Sequence, residues 1–160
     1  MGGFSGVSFL HRGGAALVAS LLAALLAAQE ADETRQQSYT EADSPYMVEL
    51  DFSLAAPADI FAEIAGVRID RLRLDPQGAV EEGAAVRCQV TASGSHTGGS
   101  RPTVGIAMLL EDGDGKGLER VRMAEFRPSR GRPFDEVQRL SVPGSALLAA
   151  RKIFVMIEVK

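Results

Sequence analysis

Three stretches of this sequence carry side chains suited to binding or reaction. Asp112-Gly113-Asp114-Gly115-Lys116-Gly117 has the acidic spacing of a calcium loop. An EF-hand loop beginning at Asp112 needs an oxygen donor where Lys116 stands and a bidentate glutamate where Met123 stands. Neither is present, so the stretch reads as a hairpin turn built from residues that accept positive φ. Cys88 and His96 are the second candidate, being the single cysteine and the single histidine beyond His11. A copper centre of the two-His, one-Cys kind needs another histidine. No serine lies in a Gly-x-Ser-x-Gly elbow. Cys88 alternates with Val86 and Val90 and is expected to face the core as a small hydrophobe. His96 is expected in a flexible loop over residues 93–102. No catalytic residue, metal ligand or cofactor follows from these residue types.

The third stretch is Arg127-Pro128-Ser129-Arg130-Gly131-Arg132-Pro133, the one local concentration of positive charge. Proline and glycine make it a loop. Guanidinium groups bind oxyanions through paired donors, so Arg127, Arg130 and Arg132 are the candidate contacts for an acidic partner, an anionic glycan or lipid headgroups. The alternative is a solvated loop whose arginines aid solubility. Against a formal charge of -4, from 17 basic and 21 acidic residues, three arginines do not make a nucleic-acid surface. No aromatic residue is interleaved with them for base stacking.

The elements that position these residues are strands. Val48, Leu50, Phe52 and Leu54 alternate with polar residues, and only a strand puts all four on one face. Val67 and Ile69 begin a second strand, which Leu72 and Leu74 continue out of phase, so a bulge is expected near Asp70-Arg71. Val86, Cys88, Val90 and Ala92 form a third set. Residues 103–110 are a more continuous apolar run, expected of a central strand. Residues 118–126 and 134–142 supply two more, and Ile153, Val155, Ile157 and Val159 share one face of the last. Short helical turns are expected over residues 57–65 and after Ser145 as an N-cap.

Seven strands in this length, with frequent turn signals and no long amphipathic helix, predict an all-β antiparallel sandwich. The strand count and spacing over residues 46–160 resemble the immunoglobulin-like and fibronectin-type-III-like sandwiches. The resemblance is architectural, without a cysteine pair, a core tryptophan or a tyrosine corner, and it implies no catalytic residues.

Ahead of the domain, residues 15–28 are an unbroken apolar and small run, preceded by Arg12 and followed by the acids Glu30, Asp32 and Glu33. That charge order is the order of an export signal. The run is shorter than the roughly 20 residues of a comfortable membrane span, which favours a cleaved signal peptide over a signal anchor. Leu26 and Leu25 occupy the small-residue position for cleavage after Ala28 or Ala27, which favours the anchor. Residues 29–45 are polar and acidic and read as a flexible tether. The expected protein is an exported, non-enzymatic sandwich of the periplasm or the exterior. It would bind a protein partner of the cell envelope, with membrane contact only through residues 15–28 where these stay uncleaved. The alternatives are a membrane-tethered subunit, or a ligand-binding protein or enzyme whose site is assembled from scattered residues.

Overall fold

The computed structural model describes residues 38–160. The expected signal segment, and the expected tether as far as residue 37, lie outside the described residues. Within them run nine strands and one short helix: β1 (Thr40–Ala42), β2 (Tyr46–Asp51), β3 (Pro57–Ile64), β4 (Val67–Pro76), β5 (Ala85–His96), β6 (Val104–Glu111), β7 (Gly117–Arg122), β8 (Pro133–Pro143), α1 (Gly144–Ala149) and β9 (Lys152–Val159).

The strands form two sheets, β1-β3-β4-β5-β8 and β2-β9-β6-β7. Period-two apolar rows build the layer between them. Val104, Ile106, Met108 and Leu110 of β6 and Ile153, Val155, Ile157 and Val159 of β9 are buried from the second sheet. Ile60, Ala62, Ile64, Val67, Ile69, Leu72, Leu74, Val86, Cys88, Val90 and Ala92 are buried from the first. Each fully enclosed aliphatic side chain of this size stabilises the fold by roughly 1.5–3 kcal/mol before entropy is counted. The protein is therefore a mostly β sandwich. Every pairing is antiparallel except β1 with β3, which is parallel.

Several expectations need correction. Residues 57–65 are not a helical turn but strand β3 and the turn after it. Ile60, Phe61 and Ile64 have the spacing of a helix face. A register shift between Asp59 and Ala62, with Phe61 at φ 48, instead sends Ile60, Ala62 and Ile64 inward and Phe61 out. Ala65 and Gly66 follow at φ 49 and 78, the two positive angles that a tight two-residue hairpin demands. The stretch expected as tether contributes β1, held by Tyr39 Oη donating to Asp70 Oδ1 at 2.6 Å. β1 and β3 raise the strand count from seven to nine among the described residues. Ser145 does not cap α1: the N-cap is Pro143, without a side-chain hydrogen bond. β7 stops at Arg122, and Phe126 returns only as a single bridge to Val104. The bulge expected near Asp70-Arg71 is present, as a register shift between Ile69 and Arg71 against β5.

The connections cross between layers in a Greek-key manner. β5 lies in the first sheet, β6 and β7 in the second. β8 then returns beside β5, and β9 beside β6. The seam between the β7 and β8 edges is closed by one side chain. Gln138 accepts from Ala124 N at 2.6 Å and donates to Ala124 O at 2.9 Å, as a peptide group of a neighbouring strand would. Phe126 and Phe134 meet beside it, with ring centroids 5.5 Å apart.

Candidate binding surface

The basic stretch lies at one end of the sandwich, and the backbone around it is pinned at several points. Phe126 exchanges both backbone hydrogen bonds with Val104, at 2.8 and 3.0 Å. Gly131 N donates to His96 O at 2.7 Å, and Gly131 takes φ 70 to make the turn. Arg127 Nε donates to Thr103 Oγ1 at 3.2 Å, which ties the loop to the start of β6. The arginines at 127, 130 and 132 are all exposed. None of them forms an ion pair among the described residues. Arg101, in the adjoining β5–β6 loop, is exposed as well. The structure thus adds a fourth arginine, on a second loop, to the three predicted on the first.

His96 is not in a flexible loop. β5 continues through Ser93, Gly94 and Ser95, and the imidazole is 1% exposed, with neither ring nitrogen hydrogen-bonded among the described residues. A Cβ on Gly98 would stand 3.2 Å from His96 Nε2, so the loop closes directly over the ring. The imidazole is thus enclosed beneath the start of the β5–β6 loop.

Cys88 is fully buried, and its thiol points at Val86 O at 3.7 Å. Burial pushes the thiol pKa up, with the Asp75 carboxylate adding to the shift. Such a thiol is a poor nucleophile and packs as an apolar group. At the Asp112 turn, the carboxylate accepts from Asp114 N at 3.0 Å and Lys116 N at 2.9 Å, so its lone pairs shape the hairpin. Among the described residues no group of three His, Cys, Asp or Glu side chains is placed to hold a metal, and no helix is long and apolar enough to cross a membrane.

The outer face of the first sheet is polar and largely self-neutralised. Arg73 pairs with Asp75 and Arg68 with Glu63, both at 2.7 Å, and Ser93 donates to Asp135 at 2.6 Å. The outer face of the second sheet differs. Met47, Leu109, Phe154 and Met156 lie on it, with Met47 56% exposed. Sequence reading passed over this face. Its signal was present in residues 104–110 and 153–159, where apolar residues occupy both phases of the strand. The chain matches no protein-family model, and no curated protein matches it either.

Proposed function

We propose that this protein is an exported, non-enzymatic binding module of the cell envelope that holds an acidic protein partner through the arginines at one end of its sandwich. The observation that carries the reading is the pinned loop. Arg130 and Arg132 project from a backbone fixed by the Gly131–His96 bond and stand without an acidic partner among the described residues. A fixed donor array loses less entropy on binding than one that must first be ordered. The apolar run at residues 15–28 supports export, either as a cleaved signal or as an anchor that leaves the domain membrane-tethered.

Strand order supports an immunoglobulin-like classification of the core. In that fold one sheet reads A-B-E and the other G-F-C-C′. β4-β5-β8 and β2-β9-β6-β7 fall in those places, with β2 occupying the position of G although it precedes the others in the chain. Sandwiches of this group commonly present ligand-contacting loops at their ends, which is where the arginines lie.

The test is to change Arg127, Arg130 and Arg132 together to Ser. The exposed substitutions should each alter stability by no more than about 0.5 kcal/mol. Association with the proteins that co-purify from the envelope fraction should fall, and raised salt should mimic the change in the parent protein. Unchanged co-purification at low salt would leave the loop as a solvated connection and refute the proposal.

A further inference from the structure

We propose that the outer face of the second sheet pairs with the same face of a second copy, about a two-fold axis running parallel to the strands. The inference is independent of the basic loop. It rests on how the residues of that face fall into rows across β2, β9, β6 and β7. Backbone register puts Glu49, Phe154, Leu109 and Arg120 in one row. Met47, Met156, Ala107 and Arg122 form the next. Asp51, Lys152 and Glu111 lie on one side of these, and Glu158 and Gly105 on the other. The centre is apolar, the β2 edge acidic and the β7 edge basic. Arg120 and Arg122 are exposed and make no ion pair among the described residues, and a cleft of about 230 Å3 runs between them and the rings and thioethers of Phe154 and Met156.

A two-fold parallel to the strands lays β2 of one copy over β7 of the other and β9 over β6, with each row meeting itself. Glu49, already paired with Lys152 of its own copy at 2.6 Å, then faces Arg120, Lys152 faces Glu111, Phe154 faces Leu109, and Met156 faces Ala107. Met47 lies along the aliphatic stem of Arg122, while Glu158 meets Gly105. Glu125 lies over Gly105, with Lys160 paired to both Glu125 and Glu158, so that row brings a carboxylate against a bridged carboxylate; in the other rows no like charges oppose one another. A two-fold across the strands would invert the rows and set Arg120 against Arg122, so charge selects the first arrangement. Two twisted sheets stack in this way with their strands within about 30° of each other. Four strands about 4.8 Å apart, carrying rows about 6.8 Å apart, give roughly 500 Å2 per copy. The pair of faces sits near the lower bound for a specific interface, so the dimer is weak and concentration-dependent.

Sedimentation velocity of the full chain over a range of concentrations should show a monomer–dimer equilibrium. Arg120→Glu alone and Glu49→Arg alone should each weaken association by at least about 10-fold, because each sets like charges face to face. The two together should restore it, a result that requires the residues to meet across the interface. Met47→Lys should also weaken association. Protection of Cys88 from thiol reagents reports that each variant is folded. A monomer at all concentrations, or a dimer that persists in Arg120→Glu and Met47→Lys, overturns the proposal. Failure of the charge swap to rescue overturns the two-fold parallel to the strands.

Discussion

Cys88 and His96 lie on the same face of one strand, yet only the first announces itself. Cys88 keeps the period-two company of Val86, Val90 and Ala92, so its burial is legible. His96 follows Ser93, Gly94 and Ser95, a run that reads as a loop. Gly94 is small because other backbone crowds it: a Cβ there would collide with the Arg68 carbonyl. A thiol reagent should therefore modify Cys88 only after denaturation. Cys88→Ala should fold, and Cys88→Asp should not, since an unpaired buried carboxylate is expensive. Labelling of the native protein would contradict the packed position. The unpartnered imidazole of His96 also weakens the core, because a buried polar group without a hydrogen bond costs about 1–3 kcal/mol. His96→Leu should leave stability unchanged or raise it, as read by urea denaturation. The Tyr39 phenol is pushed up to about 12, first by burial and then by its hydrogen bond to the Asp70 carboxylate, whose charge opposes a second anion. The folded value lies above the ordinary one near 10, so the contribution of the neutral phenol is complete below pH 10 and is lost as pH rises through 12. Asp70→Asn should bring the tyrosinate absorbance transition of Tyr39 to lower pH, most cleanly in a Tyr46→Phe background. An unmoved transition would mean that Asp70 does not hold the phenol.

At the scale of elements, what could be read was set by whether the apolar period stayed unbroken. β9 and the first half of β5 keep strict alternation, and both were evident. The bulge in β4 was evident too, because it shifts the phase once and leaves two clean halves, Val67-Ile69 and Leu72-Leu74. β3 was hidden by the same kind of irregularity placed mid-strand. With the bulge at Phe61, the apolar spacing of Ile60, Phe61 and Ile64 imitates a helix. β1 has no apolar period at all, since it is a three-residue edge beside β3. Close backbone contacts between elements yield a further expectation. Gly144, at the start of α1, has Glu81 O where a Cβ would go, and Gly94 meets Arg68 O in the same way, whereas a Cβ on Gly78 would meet nothing within 4 Å. Gly144→Ala and Gly94→Ala should each destabilise by about 1–3 kcal/mol through overpacking. Gly78→Ala should stay within about 0.5 kcal/mol. Equal midpoints in chemical denaturation for all three would show that the close approaches relax freely.

For the molecule as a whole, the sequence established the class but not the pairing. Alternating rows require two faces that meet, so a sandwich was foreseeable. Which strand lies beside which depends on contacts far apart in the chain, as in the 103 residues separating Lys152 from its ion-pair partner Glu49. The basic loop was legible because proline, glycine and arginine cluster within a few residues. The face carrying Arg120 and Phe154 was not, because its rows exist only once four strands are side by side. Export is tested outside the folded domain. A reporter active only beyond the cytoplasm, fused after Lys160, should be active. Leu21→Arg with Leu25→Arg should silence it, since charge in an apolar segment costs about 2.5–3.5 kcal/mol per residue at a helix centre.

β2 touches the second sheet only through β9, the last of the nine strands, and β9 also supplies the partner of β6. While the chain is being made, neither β2 nor that side of β6 has a strand to pair with until residues 152–160 have left the ribosome. The earliest and latest parts of the domain must find each other before half of its core can close. Such long-range closure is slow. A domain built this way cannot seal its two sheets against each other until β9 is in place, so its apolar layer stays open on one side until then.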